Sequence, residues 1–307
     1  MAHELADHII TSEVLTGVEL ACEKAVIEAV TKRNRPSRRR VDFAAIDAFL
    51  APYEARLRRG LNSVWAEQRR TILSNMKRTP GPIGARSLAA SRTKGLTFAE
   101  LLEQWMFAKG PADKAIQVVY RDLALKLLVA SGKRATTQAP FSLANPLSTN
   151  WDVFNTNIEK WLKTYSIDLA DEINTVTLDK LKASLFEGWE AGESIPDLSN
   201  RVRDLYEEFD KSRADTIART ETQKANDRAN EETWKASGVV DRSMWIIGPE
   251  PCPICEALDG EVRDLGDDFY PPDEYSDGSG PPRHPRCVCA RICILSGENV
   301  DEDGNIE

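Results

Sequence analysis

The sequence predicts a mainly α fold, an extended helical body that ends in a small α+β module. Three observations carry that expectation. Apolar residues recur at three- and four-residue spacing through most of the first 237 positions, the period of helices with one buried face. Near Met244 the period changes to two, as in a strand. Five of the six cysteines, with one of only three histidines, fall between positions 252 and 293.

Taken in order, positions 5–30 read as a helix, apolar at Ile9, Ile10, Val14, Leu15 and Val18. Six of the nine residues 32–40 are basic, broken by Pro36. Arg35, Arg38, Arg39 and Arg40 thus form an arm able to touch phosphate, although a plain solvated linker explains the same run. No aromatic residue interleaves it, so base stacking is not indicated. A long helix is expected over 41–76, kinked at Pro52, with Phe43, Ile46, Phe49, Leu50, Leu57, Leu61, Val64 and Trp65 on its apolar face. Its polar face carries Arg56, Arg58, Arg59, Arg69 and Arg70. Residues 77–96, rich in Gly, Pro, Ser and Arg, read as a flexible loop. Thr97 and Glu100 form a capping box for a helix ending at Gly110-Pro111. Asp113 to Ser131 is the next helix, stopped by Gly132, and a second linker covers 133–150.

Trp151, Phe154, Ile158, Trp161, Leu162 and Tyr165 make one helical stripe, read as core. A separate helix over 173–191 stops at Gly192. Ser194 starts another, through Val202, Leu205 and Phe209, and Ser212 caps a last long helix that Gly238 ends. Residues 243–247 alternate like a strand and Asp259-Gly260 reads as a hairpin turn. The acidic stretch 264–280 reads as a mobile insertion, and the acidic tail after Ser296 as disordered.

The chemistry lies in the cysteine region. Cys252-Pro253-Ile254-Cys255 offers two thiolates from one tight turn, and His284-Pro285-Arg286-Cys287-Val288-Cys289 comes some thirty residues later. Zinc takes four sulfur or nitrogen ligands in a tetrahedron, so Cys252, Cys255, His284, Cys287 and Cys289 are five candidates for four positions. The alternation of 288–295 predicts a strand with Cys287 and Cys289 on one face, and either completes the set. Cys293 shares that face but lies farther along and is left out. A disulfide framework is the competing reading. Positions 1–10 lack a signal-peptide pattern, so a reducing compartment is expected, where clustered cysteines bind metal more often than they pair. A closed zinc shell of this kind is structural. No apolar run approaches the roughly 18–20 residues of a membrane span.

The chain has 307 residues and a net charge of −9, unevenly spread. Positions 31–134 hold 22 Lys and Arg against 8 Asp and Glu, while positions 135–307 hold 17 against 35. A basic body flanked by acidic ends points to an anionic partner for the body.

Several motifs then fall in one order: Ile217-Ala218-Arg219-Thr220-Glu221-Thr222, Ala225 and Asn226, Gly238-Val239, Trp245, the Cys252–Cys255 knuckle, Leu258-Asp259-Gly260, Pro281-Pro282-Arg283-His284-Pro285, and Cys287 with Cys289. Over about residues 150–295 this set resembles the phage head morphogenesis family of minor head proteins, typified by the F protein of phage Mu. The family's usual His-Pro-Asn-Cys-Arg-Cys stands here with Val288 in place of the Arg between the cysteines. The resemblance implies a minor capsid protein, located in the virion head, bound at or near the portal protein and needed for head assembly or genome packaging and delivery. The partners it implies are the portal, major capsid or scaffold proteins and packaged double-stranded DNA, with no membrane.

The domain reading is therefore 1–40, an N-terminal helix and basic arm; 41–140, a basic helical region; 141–238, the helical part of the head-morphogenesis domain; 239–295, the zinc-binding module; and 296–307, the acidic tail. Arg219, Thr222, Gln223 and Asn226 share one helix face, and Arg219, Thr222 and Asn226 are expected to hydrogen-bond the zinc loops and orient their ligands. A DNA-binding zinc protein and a metal-dependent nuclease are the competing functions. A nuclease needs a base and open metal positions, whereas His284 is spent as a ligand and His3 and His8 are remote, so no enzyme is expected.

Overall fold

The structure, a computed structural model, describes residues 41–78, 98–137, 156–272, 277–301 and 304–306. The expected helix over 5–30, the basic arm with Arg35, Arg38, Arg39 and Arg40, and Trp151 and Phe154 lie outside the described residues. The described chain is mainly helical, with one small sheet near its C-terminal end. Its described residues divide into two compact units that interleave along the sequence, one falling within 46–127 and 153–223, the other within 1–45, 128–152 and 224–307.

In the first of these, α1 (Phe43–Arg78) buries one stripe: Leu50, Leu57, Leu61, Trp65, Gln68, Ile72 and Met76. The helix runs through Pro52 as a single element. The short α2 (Phe98–Trp105) ends where the Met106 amide donates to the Leu102 carbonyl, 2.9 Å. Gly110-Pro111 was expected to end that helix but lies in the first turn of α3 (Lys109–Thr137). A first-turn proline surrenders an N–H that has no helical partner anyway. Gly132 does not stop α3 either. A mid-helix glycine costs only about 1 kcal/mol, and the buried Leu127, Leu128, Ser131 and Ala135 on either side outweigh it.

The two helices expected on either side of residue 170 are one, α4 (Thr156–Glu190), whose buried Ile158, Leu162, Leu169, Ile173, Leu181 and Leu185 keep a single face. Gly192 ends it with φ 74. Ser194 caps α5 (Ile195–Glu208) with a capping box closed by Asp197. Ser212 caps nothing. Residues Phe209–Arg213 form a π-helical turn that joins α5 to α6 (Ala214–Ser237), and the Ser212 hydroxyl donates to the Glu208 carbonyl, 3.1 Å. The wide turn carries Arg213 inward, where it donates to Thr177 Oγ1 (2.7 Å) and the Ile173 carbonyl (2.9 Å) against the faces of Trp65 and Phe209. A string of buried amides crosses the same core. Tyr206 donates to Gln68 Oε1 (3.2 Å), Gln68 to Asn174 Oδ1 (2.8 Å), and Asn174 to Asp113 Oδ1 (2.7 Å).

In the other unit, Gly238 (φ 68) ends α6 and the chain enters a three-stranded antiparallel sheet of order β2-β1-β3. Its strands are β1 (Val240–Ile246), β2 (Val262–Asp264) and β3 (Ala290–Leu295). The expected strand pattern from 288 is shorter than predicted, because Cys287 and Cys289 precede β3 rather than lying in it. Asp259-Gly260 does turn the chain, with Gly260 at φ 77, but the loop it closes is the whole segment from Ile247 to Glu261. Two stretches expected to be loose are packed. Phe269 and Tyr270, in the acidic insertion, are 4% and 9% exposed and meet the ring of Trp245. In the tail, Val300 bridges to Ile306, and Ile306 packs with Met244 and Ile294. The buried Glu298 carboxylate accepts the Leu295 N–H at 2.7 Å. The acidic composition of both stretches hid a few well-spaced apolar residues that supply enough burial to order them.

Candidate metal centre

Two loops build the site. The first leaves β1 and enters the single-turn α7 (Pro253–Glu256). Cys252 caps that turn in an extended conformation, with Pro253 in its first position, and its carbonyl accepts the N–H groups of Cys255 (2.9 Å) and Glu256 (3.0 Å). This puts Cys252 at the rim and Cys255, 1% exposed, inside. The second loop runs into β3. The Cys287 amide donates to the His284 carbonyl (3.1 Å), and the turn is closed by Arg286, the only non-glycine residue with positive φ among the described residues.

The two loops meet donor to donor. Cys252 Sγ lies 3.0 Å from His284 Nε2, and Cys255 Sγ lies 3.8 Å from Cys287 Sγ. Donor atoms of Cys252, Cys255 and His284 all lie within 4.8 Å of one another, and so do those of Cys255, Cys287 and Cys289. Cys255 is common to both groups. Assigning the ring proton of His284 to Nδ1 lets it donate to the Pro285 carbonyl at 2.9 Å, which leaves the Nε2 lone pair facing Cys252.

The donor types, thiols and one imidazole, suit zinc, and their atoms gather as two overlapping groups of three. Zn–S bonds of about 2.3 Å place two sulfurs of a tetrahedron about 3.8 Å apart, the separation found between Cys255 and Cys287. The electrostatics fit as well. Hydrogen bonds to Cys287 and Cys289 push the Cys255 thiol up, while hydrogen bonds from Cys255 and Cys289 pull Cys287 down. Thiolates at this spacing repel unless a cation lies between them. Burial opposes ionisation of Cys252, yet the amides of Cys255 and Ile254, with His284, hold it below the usual thiol range. Trp245 belongs to the same buried cluster as Cys255, Cys287 and Cys289, and its buried Nε1 has no hydrogen-bond partner among the described residues. Cys293 belongs to a different cluster, with Trp234, Val240 and Leu295.

The helix face expected to orient these loops is engaged elsewhere. Arg219 pairs with Asp47 at 3.2 Å, in the unit that does not hold the cysteines. Thr222 donates to the Ala218 carbonyl (2.9 Å), and Asn226 Oδ1 accepts from Ser131 (2.8 Å). Bonds from α6 to the cysteine module come instead from the adjoining face. Asp227 takes a fork from Arg291 of β3, Nε to Oδ1 at 3.1 Å and Nη2 to Oδ2 at 2.6 Å, and Glu231 accepts from the same Nη2 at 2.9 Å. Sequence reasoning passed over these residues. The signal was there: two acids four apart on a helix, and one arginine in the otherwise apolar run Ile292-Cys293-Ile294-Leu295 and Ala290.

A helical chain whose C-terminal end is a sheet clasping a Cys/His cluster is the class of molecule defined so far. Residues 179–292 match the family described as Phage Mu protein F like protein, so the resemblance read from the motifs holds over α5, α6 and the cysteine module. No curated protein and no solved structure matches the chain. Among the described residues no helix is long and apolar enough to cross a membrane.

Proposed function

We propose that this chain is a minor head protein of a tailed phage, bound near the portal inside the head and needed for head assembly, with a structural zinc in its C-terminal module and no catalytic role. The observation that carries this reading is that the family match and the cysteine cluster fall on the same segment. The segment that matches the Mu F-like family, 179–292, is also the segment that gathers Cys252, Cys255, His284, Cys287 and Cys289. Cys252, Cys255 and His284 would hold the ion with Cys287, whose sulfur stands at the tetrahedral distance from Cys255. A bound zinc would supply folding free energy to a module whose sheet has three short strands.

The competing reading, a DNA-binding zinc protein, draws on the basic excess of 31–134. Its arginines on α1 are largely spent within the fold. Arg56 pairs with Asp122 (2.7 Å), Arg58 with Asp215 (2.9 Å), Arg69 with Asp210 (4.0 Å), and Arg70 with Glu67. Contact with packaged DNA would therefore fall to the arm with Arg35, Arg38, Arg39 and Arg40. A nuclease reading finds no second histidine beside His284 among the described residues.

The test is affinity capture of the tagged protein from phage-producing cells, with the bound proteins identified by mass spectrometry. Recovery of portal and major capsid subunits is expected. Recovery of DNA-processing proteins without any head component would overturn the reading.

A further inference from the structure

We propose that Arg291 is the positioning residue of the donor cluster, clamping onto α6 the loops that carry His284, Cys287 and Cys289. The inference rests on the zinc reading for its metal arm only. Arg291 is buried, with a side chain 1% exposed. Its guanidinium is used on every side. It forks onto Asp227 and reaches Glu231, both on α6 and both buried. Its Nη1 donates to the Ser279 carbonyl at 2.9 Å, and it lies against the rings of Trp234 and Phe269.

The placement matters because Arg291 touches both chain segments that feed the second loop. Ser279 lies five residues before His284, and Arg291 itself lies two residues after Cys289. One rigid fork therefore fixes both ends of the loop 280–290 against α6. Gly280 shows how closely the loop descends on the clamp. A Cβ there would stand 2.6 Å from Asp227 Oδ2 and 2.7 Å from Arg291 Cζ, so only glycine lets the backbone close over the ion pair. Tyr270 anchors the same residue by donating to the Gly280 carbonyl, 2.9 Å. On β1, Trp245 stands opposite Arg291 in register and belongs to the same buried cluster as Cys255, Cys287 and Cys289. Outer partners that orient ligands in this way tune metal affinity by about 10- to 100-fold.

Full-length wild type, Arg291→Lys and Gly280→Ala are compared. Lysine keeps the charge and loses the fork; Gly280→Ala changes no charged or ligating group. Zinc affinity is measured by competition with a chromophoric chelator, and the ligand field by visible absorption of the cobalt(II) form. Zinc affinity about 10- to 100-fold weaker in both variants, with an altered cobalt spectrum, is the expected result. Variants that bind zinc as tightly as wild type with an unchanged spectrum, whatever their melting temperatures, overturn the proposal and leave Arg291 a packing residue. If wild type binds no zinc, the metal reading fails separately. The clamp is then read by hydrogen exchange: loss of protection at the amides of 287–295 in Arg291→Lys supports it, and unchanged protection overturns it.

Discussion

Gly188 and Ser194 illustrate how much of this fold turns on single residues. A Cβ at Gly188 would meet Glu193 Oε2 and Leu198 Cδ2 at 2.5 Å and Arg201 Nε at 2.7 Å. Gly188→Ala is expected to lower stability by about 1–3 kcal/mol, the usual result of overpacking, measured by urea denaturation. Ser194→Ala removes one half of a capping box and should cost about 1 kcal/mol. The carboxylates that face Arg291 give a pH signature. Burial pushes Asp227 up to about 6 against the pull of Arg291. Burial acts on Glu231 too, but Arg291 and Lys235 outweigh it and hold it at about 2. A lowered carboxyl contributes stability above its ordinary value of 4.5 that is lost as pH falls toward 2. A raised one weighs against the fold as pH rises from 3.8 through about 6. Metal-free protein should therefore gain thermal stability from pH 2 to 4.5 and give part of it back by pH 6. Calorimetry across that range should find the second limb missing in Asp227→Asn and the first intact. Residue signals of this kind were legible where local chemistry decides the outcome, as at Gly192, Ser194 and Gly238. They misled at Gly132 and Ser212, where burial and a π-helical turn override the local preference.

Among elements, the helices were found and several of their joins were misplaced. Periodicity shows that an apolar face exists, but it says nothing about whether two stripes belong to one helix, so α4 was divided. The junction of α5 and α6 was placed at Ser212 but read as a break, because an inserted residue in a π turn leaves no composition mark. Its consequence is testable. Deleting Ser212 should restore an α-helical step and rotate the chain beyond it by about 100°, pulling Arg213 away from Thr177 and the Ile173 carbonyl. The expected result is a lower melting temperature with broadened unfolding. The amide string is a second element-scale feature that apolar patterning cannot reveal. Gln68→Ala strands the Asn174 carbonyl oxygen and the Tyr206 hydroxyl. Each orphaned group costs about 1–3 kcal/mol. An unfolding free energy from urea denaturation that falls by less than that range would mean the string contributes little.

For the whole molecule, the candidate site was the most legible feature, because two short Cys/His motifs were enough to predict that their side chains meet. All five donors are brought together as two overlapping groups. The groups that orient them were less legible, since an ion pair from helix to strand has no spacing rule. The charge reading also needs the fold. Of the 14-charge excess over 31–134, residues 31–40 and 79–97 contribute 9, and α1 arginines find acids inside their own unit. Any DNA binding should thus weaken on charge reversal at Arg38, Arg39 and Arg40, and should change little on reversal at Arg56 and Arg58, as read by gel shift at fixed salt. Native mass spectrometry of the intact chain should find one zinc per molecule, lost in Cys252→Ser together with the protease resistance of 239–295, while the helices before Gly238 stay folded. A wild-type chain without zinc, and a Cys252→Ser variant as protease-resistant as wild type, would contradict a metal-held module.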